Sequence, residues 1–422
     1  MTLGAGKPGI RSVHIDTAQT WRGGQNQVLL TVTGLEEIGH PAVLVAHEAG
    51  ALKQRAREGL RFVGFTPRSE FDVHAAWQLA RVFRDVQPDV VHAHDPMGVA
   101  LTAMALQMKP SLPRRPPVIA SRRVDFHLKS HAFSKWKYGH VDLFISASRV
   151  IASILEADGI ASDHIVTVHD GVNVGLVDKQ PAVDAHAAFW LPKGAPVVGN
   201  VAALAAHKGQ KHFVAAAARV VRELPDTRFL IVGEGELKET LERQIHELGL
   251  DRHVTLAGFR ADALGLMKSF DLFVMSSVTE GLGSAMLEAM TARRAVVGTR
   301  AGGIPEAVVH DVTGLLVPTH DDRALAGAIV QLLRDPARRE RFGDAGRARV
   351  VDEFSVERMV GRTVEAYEKA LSRRPEAGSN HAAGTASPFA WLRIRSLPSC
   401  SGDTGQSRSA LGLPGRDIGG TQ

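Results

Sequence analysis

Two glutamates stand eight positions apart in the segment SSVTEGLGSAMLEAM, residues 276–290. On one continuous helix this spacing leaves two side chains about 80° apart, which is a poor arrangement for a paired acid and base. The preceding run DLFVMSS predicts a strand, VTEGLG a loop, and SAMLEAMTA a helix that begins at or near Ser284. We therefore expect Glu280 at the tip of a loop and Glu288 in the first turns of a helix.

A loop of this kind is suited to binding a phosphate and a sugar. Open α/β sheets bind ligands in the crevice beyond the C-terminal ends of their strands. Free N–H groups at a helix start attract anions, and Gly281 and Gly283 allow a phosphate to approach the backbone. Glu288 has apolar neighbours, so its carboxylate needs donors, which the two hydroxyls of a ribose would supply. The alternative is an ordinary surface glutamate on an amphipathic helix.

The same segment is similar to a known family. The spacing E-x7-E in EGLGSAMLE, followed by AVVGTRAGGIPEAV and TGLLVP, resembles the retaining nucleotide-sugar glycosyltransferases of the GT-B fold, called glycosyl transferases group 1. The resemblance extends from about residue 11 to residue 373. It implies that Glu288 holds the nucleotide ribose and that Glu280 lies near the hydroxyls of the donor sugar. It also implies that the sugar and the diphosphate face the backbone of Gly281, Leu282, Gly283 and Ser284.

The segment NVAALAAHKGQKHF resembles the element of this family that binds the donor phosphates. The resemblance implies that Lys208 is a cation on the pyrophosphate and stabilises the charge that grows on the leaving group. Family members commonly carry an arginine five residues before this lysine, whereas this chain has Ala203. We expect that either Arg260 or another basic residue compensates, or that stabilisation of the leaving group is weaker. A solvated surface lysine is the alternative for Lys208.

Two segments of the first half resemble the other side of the family's site. TWRGGQNQVLL places Gly23 and Gly24 between a strand and a helix and resembles the N-terminal glycine loop of the family, which implies that the donor phosphate and the acceptor approach the backbone there; a Gly-Gly pair alone is also an ordinary connection. In DVVHAHDPMG, His92 and His94 end a strand, and the H-x-H pattern of the family implies that His94 hydrogen-bonds the donor sugar. Two histidines are also potential metal ligands. We expect their rings to point to opposite faces of the strand, so we predict no metal site. The alternative for His92 is a hydrogen-bonded histidine of the core.

A basic segment follows these motifs. Between Lys109 and His140 there are eight Lys or Arg residues and one acidic residue, Asp125. Such a segment could face an anionic acceptor, an anionic membrane surface or nucleic acid, or it could be a solvated surface. Aromatic residues make up 5% of the chain and no zinc-finger spacing occurs, so we expect no nucleic-acid partner. The run SRRVDFHLKS resembles acceptor-side loops of some relatives, which implies that Arg122 and Arg123 bind an anionic acceptor.

The elements that must position these residues follow an alternating pattern. Thirteen short β-branched runs are separated by amphipathic segments, which indicates parallel sheets built from βαβ units. One sheet of this size would be unusual, so we predict an α/β fold with two Rossmann-like doubly wound domains facing a cleft, the GT-B arrangement. The predicted ranges are 1–175 for the acceptor-side domain, 176–354 for the nucleotide-sugar-binding domain, 355–373 for a helix packing back on the first domain, and 375–422 for a disordered tail.

Composition excludes several classes of protein. With 44% hydrophobic and 23% charged residues and a net charge of +5, the chain is expected to be globular and soluble. No run approaches the roughly 20 apolar residues of a membrane span, and the first residues lack the apolar core of a secretory signal. Cys400 is the single cysteine. These features predict a cytoplasmic protein, with a peripheral contact to the cytoplasmic face of a membrane as an open alternative.

The resemblance implies a reaction as well as a fold. It implies transfer of a sugar from a nucleoside diphosphate sugar to a glycan or glycolipid hydroxyl of the cell envelope, with retention at the anomeric carbon. The departing diphosphate would accept the proton of the acceptor, and no cofactor or metal is expected because no convincing Asp-x-Asp motif occurs. VGEGELK lacks the third glycine of a dinucleotide site. The alternatives are another enzyme of the same fold, a non-catalytic nucleotide-sugar-binding protein, which Ala203 motivates, and a basic nucleic-acid-binding protein.

Overall fold

The computed structural model describes residues 8–373, so the predicted tail at 375–422 and Cys400 lie outside the described residues. Two separate parallel sheets organise this part of the chain. The strands of the first sheet are β1 (Ser12–Asp16), β2 (Ala42–His47), β3 (Arg61–Phe65), β4 (Val90–Ala93), β5 (Val118–Arg122), β6 (Leu143–Ser146) and β7 (Ile165–Thr167). The strands of the second sheet are β8 (Val197–Val201), β9 (Arg228–Val232), β10 (Val254–Gly258), β11 (Leu272–Met275), β12 (Val296–Thr299) and β13 (Gly314–Val317).

Helices cover both faces of each sheet. Those of the first half are α1 (Gly23–Glu37), α2 (Ala51–Arg55), α3 (Val73–Val86), α4 (Pro96–Gln107), α5 (Ala132–Tyr138) and α6 (Arg149–Ala157). Those of the second half are α7 (Val174–Lys179), α8 (Ala185–Ala188), α9 (Gln210–Glu223), α10 (Lys238–Glu247), α11 (Ala263–Met267), α12 (Ser284–Thr291), α13 (Ile304–Ala307), α14 (Asp322–Arg334), α15 (Pro336–Glu353) and α16 (Val356–Ser372). Short 3-10 turns span Ser162–His164 and Ala206–Lys208.

Strand order identifies both halves as doubly wound. The first sheet runs β3-β2-β1-β4-β5-β6-β7 and the second β10-β9-β8-β11-β12-β13, with parallel pairing throughout. Central strands such as β1 and β2 are buried along their whole length because helices lie on both sides, which explains their continuous apolar runs. The prediction of two Rossmann-like parallel-sheet domains is confirmed.

The last described helix returns to the first sheet. The chain leaves α15 in the second half, and Ser355 then caps α16 by accepting a hydrogen bond from the N–H of Arg358. α16 contributes Val360 and Tyr367 to the same buried cluster as residues of α1. A Cβ added to Gly34 of α1 would lie 2.5 Å from Val360 Cγ2, so this glycine permits the close approach of the two helices. Among the helices within residues 8–373, none has the length and apolarity required to cross a bilayer.

Candidate active site

The strand order of each sheet reverses at one point, and the predicted site residues follow the strands at these points. In the first sheet the reversal lies between β1 and β4, and it is followed by Gly23 and His94. In the second sheet it lies between β8 and β11, and it is followed by Lys208 and Glu280. Helices leave in opposite directions from such a point, so a crevice opens beyond the strand ends. The fold therefore gathers residues from four separate motifs at two crevices.

Lys208 and Glu280 form an ion pair at the second of these crevices. Lys208 Nζ donates to Glu280 Oε2 over 2.7 Å, and Ser277 Oγ donates to the same oxygen over 2.9 Å. The two charged side chains are only 19% and 10% exposed. Backbone contacts hold the two loops together, because the N–H of Val278 donates to the carbonyl of His207 over 2.8 Å. Two residues that we predicted to act on the donor are thus in direct contact and partly shielded from water.

Glu288 lies in the second turn of α12, which begins at Ser284 as predicted. Its side chain is half-buried, next to core residues Leu287 and Ala289. No hydrogen bond or ion pair joins its carboxylate to any other residue within 8–373. Burial raises the pKa of Glu288 to about 7. A carboxylate in this position is costly to ionise unless a bound group supplies hydrogen-bond donors.

The glycine loop before α12 lies against the first domain. Gly283 has φ = +98° and a Cβ added to Gly281 would lie 2.3 Å from the carbonyl oxygen of Arg123, so both positions favour glycine. A Cβ added to Gly23 would lie 3.2 Å from Ser284 Oγ, whereas one added to Gly24 would have no described atom within 4 Å. The two predicted glycine loops therefore meet across the interface between the domains. Leu282 differs from its neighbours, because its side chain is buried in the core of the second domain.

Glu306 joins the two domains beside this loop. It belongs to α13, in the segment AGGIPEAV, and its carboxylate accepts hydrogen bonds from the backbone N–H groups of Arg149 and Val150 over 3.0 and 3.2 Å. These are the first residues of α6 in the first domain, where the helix dipole also favours an anion. His169 Nε2 lies 2.9 Å from the same carboxylate. Burial opposes ionisation, but these hydrogen bonds outweigh it and lower the pKa of Glu306.

Three histidines cluster at the crevice of the first sheet. β1 and β4 pair in parallel with His14 opposite His92, and His94 follows two residues later. The ring centroids of His92 and His94 are 4.1 Å apart. The expectation that these two rings point to opposite faces is therefore wrong, because residues two apart in a strand share a face. Ring nitrogens of all three histidines lie within 4.8 Å of one another, which is close enough for a metal ion to bridge them.

Hydrogen bonds already engage the nitrogens of His94. Arg123 Nη1 donates to His94 Nδ1 over 3.3 Å, while His94 Nε2 and His14 Nδ1 are 3.0 Å apart. Arg123 Nε in turn donates to Asp170 Oδ1 over 3.0 Å. A guanidinium is a donor only, so His94 Nδ1 accepts and His94 Nε2 donates to His14. A hydrogen bond from His94 to a donor sugar, as the resemblance implies, would require one of these contacts to break.

Tyr367 of α16 completes this histidine cluster. Its hydroxyl lies 2.8 Å from His92 Nδ1 and 3.5 Å from His14 Nε2. Burial lowers the pKa of all three histidines, to about 3 for His14, with a further contribution from the nearby Arg123 cation. The rings are therefore neutral near pH 7 and hydrogen-bonded to protein groups. The three rings and Tyr367 form a hydrogen-bond network, and the adjacent Arg123 cation opposes the binding of a second cation.

The remaining predicted residues lie apart from one another. Arg122 donates to the carbonyl of Phe126, whereas Arg123 donates to His94 in the histidine cluster. The two guanidinium groups therefore do not face one common binding position for an acceptor anion. Arg260 forms a bidentate pair with Asp262, over 2.8 and 2.7 Å. No hydrogen bond or ion pair within the described range connects Arg260 with Lys208.

Ala203 lies in the segment between β8 and α9. Its carbonyl accepts a hydrogen bond from Gln210 Nε2 over 2.9 Å. This bond ties the loop to the start of α9 through the backbone, a contact that does not depend on the side chain at position 203. The contacts of Ala203 and Arg260 therefore give no direct support to the idea that Arg260 replaces the arginine of other family members.

Sequence reasoning missed four residues of this region: His14, Asp170, Glu306 and Tyr367. Each contacts the site across a large separation, such as the 275 residues between His92 and Tyr367. A histidine in the apolar run SVHID and a tyrosine on an amphipathic helix are both ordinary core residues when considered locally. Only Glu306 among these four had a local signal in the sequence, because an acidic residue follows the two glycines of AGGIPEAV.

The fold and the site together define a GT-B protein, and comparisons with known proteins agree. Residues 184–349 match the family model described as "Glycosyl transferases group 1", and residues 21–176 match "Glycosyltransferase Family 4". Residues 184–349 thus form a domain of the glycosyl transferases group 1, and the chain is a glycosyltransferase.

Several similar proteins have been named or solved. The "Lipopolysaccharide core biosynthesis glycosyltransferase LpsD" of Rhizobium meliloti is 28% identical over 306 residues, which cover 71% of this chain and 80% of that protein. A "GDP-mannose-dependent alpha-(1-6)-phosphatidylinositol monomannoside mannosyltransferase" of Mycolicibacterium smegmatis is 36% identical, over 43% of this chain and 49% of its own length. The structure of Anabaena Alr3699/HepE in complex with UDP and glucose aligns with a TM-score of 0.72 at 20% identity, covering 85% of this chain and 99% of that one. At this identity the structural match shows the fold alone.

Proposed function

We propose that the protein transfers a sugar from a nucleoside diphosphate sugar to an acceptor hydroxyl, with retention of configuration at the anomeric carbon. The observation that carries this proposal is the arrangement at one edge of the second sheet. The Lys208 cation and the start of α12 follow the two strands of the crevice there, and Glu288 has a carboxylate without a partner among residues 8–373. A diphosphate complements the first two features, and a ribose diol complements the third.

The Lys208–Glu280 pair supports separate roles for the two residues in binding the donor. In the proposed mechanism the diphosphate takes Lys208 as its counter-ion, and the N–H groups at Ser284 add to the stabilisation of the leaving group. Glu280, still bonded to Ser277, then accepts hydrogen bonds from sugar hydroxyls. The bond between the anomeric carbon and the diphosphate oxygen breaks, the acceptor oxygen attacks from the same face, and its proton passes to the departing diphosphate. The positive charge at the diphosphate comes from the protein, so we propose that no metal ion or cofactor is needed.

The acceptor and the setting are proposed from the relatives. Proteins named for lipopolysaccharide core biosynthesis and for phosphatidylinositol mannoside synthesis support a glycan or glycolipid of the cell envelope as the acceptor class. The neighbour solved with UDP and glucose supports a nucleotide-sugar donor. We propose that the protein works in the cytoplasm, at the inner face of a membrane where such an acceptor would be presented.

Ligand binding and turnover test this proposal. The protein is incubated with a panel of UDP-, GDP- and ADP-sugars, and thermal stabilisation and release of nucleoside diphosphate are recorded. We expect one donor to raise the melting temperature and to be hydrolysed slowly, with the product configuration determined by NMR. If no nucleotide sugar stabilises the protein, the proposal is wrong. Tight binding without any turnover would instead support the non-catalytic alternative, which Ala203 and the fully engaged nitrogens of His94 favour.

A further inference from the structure

Five large apolar side chains in α5, and in and just before α3, are exposed or half-buried on the first domain. We call this group the aromatic surface, and its residues are Phe71, Val73, Trp77, Phe133 and Trp136. Phe71, Val73 and Trp77 are 63%, 63% and 48% exposed, and the other two are half-buried. Isolated apolar side chains on a surface are common, whereas a cluster of them marks a surface that binds a protein, a ligand or a membrane.

Helix geometry and ring contacts make these residues one surface. In α3 the core face is formed by residues such as Leu79 and Phe83, and Val73 and Trp77 follow each other at a spacing of four on the solvent side. The ring of Phe71, just before α3, lies 4.2 Å from the ring of Phe133 in α5. The ring of Phe133 in turn lies 5.3 Å from that of Trp136. Ring contacts thus join the residue before α3 to α5, and Val73 and Trp77 add the solvent side of α3.

The border of the aromatic surface is positively charged. Arg68, three residues before Phe71, and Lys129, four residues before Phe133, are exposed, and the guanidinium of the exposed Arg81 lies 4.9 Å from the ring centroid of Trp77. Two acids in the same region have partners within the protein. Glu70 accepts from Lys137 Nζ over 2.8 Å, and Asp72 caps α3 by accepting from the N–H of Ala75 over 3.0 Å. Glu70 is thus paired with a cation, whereas no ion pair joins Arg68, Arg81 or Lys129 to an acid within residues 8–373.

A hydrogen bond connects the aromatic surface to the crevice of the first sheet. Lys137 in α5 is buried, and its Nζ also donates to the carbonyl of Pro96 over 3.3 Å. Pro96 begins α4 two residues after His94, which lies at that crevice. Lys137 thus links α5, which carries Phe133 and Trp136, to the start of α4 beside this crevice.

We propose that the aromatic surface docks the protein on an anionic lipid bilayer. Trp77, Phe71 and Phe133 would enter the interfacial region, where amphipathic aromatic rings are favoured, and the basic border would contact lipid phosphates. Charge complementarity argues for this partner, because a cationic border around apolar rings matches a negatively charged bilayer surface. The inference deepens the proposed function and rests on it for its purpose, which is to bring a membrane-bound acceptor to the cleft.

Vesicle binding tests the inference. The full chain is mixed with vesicles of phosphatidylcholine alone, or of phosphatidylcholine with phosphatidylglycerol, and the bound fraction is measured by co-sedimentation without any donor. We expect binding to the anionic vesicles only, at least tenfold weaker in the double variant Phe71→Ser/Trp77→Ser. Lys129→Glu should weaken binding and reduce its dependence on salt. Trp190→Ser is the matched control, because Trp190 is 91% exposed but belongs to the second half of the chain.

Several outcomes would overturn the inference. These are absence of binding to anionic vesicles, a loss in Trp190→Ser equal to that in the double variant, or dimerisation through the aromatic surface in sedimentation velocity, which would make a second copy its partner. Donor hydrolysis without acceptor is measured in parallel and should be unchanged in the double variant. That measurement keeps the two proposals separate. Absence of donor hydrolysis would contradict the proposed function, whereas vesicle binding by the same protein would still test the docking proposal.

Discussion

The substitution Glu288→Gln tests whether this carboxylate is kept for ligand binding at a cost in stability. Glutamine has nearly the same shape but no charge, so packing in α12 should be preserved. We expect the variant to unfold less readily than the wild type at about pH 8 and equally readily at about pH 5. We also expect donor affinity at about pH 8 to fall at least tenfold, because the ribose loses a charged acceptor.

The magnitude follows from the pKa of Glu288, which is raised from 4.5 to about 7 by burial. A difference of about 2.5 in pKa corresponds to about 3.4 kcal/mol, which solvent screening of this partly exposed side chain reduces to ~1–2 kcal/mol. The raised pKa means that the folded state binds more protons than the unfolded state between about pH 4.5 and 7. The contribution of the protonated carboxyl to stability is therefore fully present below about pH 4.5 and is lost as the pH rises through about 7.

The assay is urea unfolding of the wild type and the variant at both pH values, with Glu247→Gln as a control. Glu247 is exposed on α10 of the same domain, so its substitution should change stability equally little at both pH values. Donor affinity is measured under the same conditions by calorimetry. Wild-type affinity should itself weaken about tenfold between pH 8 and pH 6, because the carboxylate must lose its proton before it accepts the ribose hydroxyls.

Two results would refute this reasoning. If the difference in unfolding free energy between wild type and Glu288→Gln is the same at both pH values, the carboxyl is not titrating in a buried environment. If donor affinity is unchanged in the variant at the higher pH, Glu288 does not hold the ribose, whatever its effect on stability.

Three further substitutions test other parts of the site. Lys208→Ala should lower the transfer rate more than tenfold in an initial-rate assay, because the departing diphosphate loses its cation, whereas Lys211→Ala on the exposed side of α9 should not. Glu306→Gln removes the charge that accepts from the N-terminus of α6, so the domains should separate more easily, which would appear as a larger radius of gyration in X-ray scattering and a higher KM for the donor. Tyr367→Phe leaves a ring nitrogen of the histidine cluster without its partner and should reduce the unfolding free energy by ~1–3 kcal/mol in urea.

Each of these expectations has a result that contradicts it. A near-normal rate for Lys208→Ala would exclude the lysine as the main stabiliser of the leaving group. Unchanged scattering and KM for Glu306→Gln would mean that the interface does not depend on this carboxylate. Wild-type stability of Tyr367→Phe would show that its hydroxyl contributes nothing to the cluster.

Local patterns in the sequence predicted the secondary structure and the helix that carries Glu288. The alternation of β-branched runs with amphipathic segments identifies the parallel strands, because a strand buried on both faces must be continuously apolar. The glycines and the small residue after them predict the start of α12 at Ser284, and the spacing to Glu288 places that carboxylate among apolar neighbours. These features depend on residues within one or two turns of each other, so no knowledge of the fold is required.

Contacts between distant residues were decided by the tertiary structure alone. The pairing of β1 with β4 places His14 beside His92, and the return of α16 brings Tyr367 to both. The contact of Glu306 with α6 depends on how the two domains meet, across 157 residues of sequence. No local pattern encodes these neighbours, because the order of strands in a sheet and the docking of its helices are determined by burial summed over the whole chain.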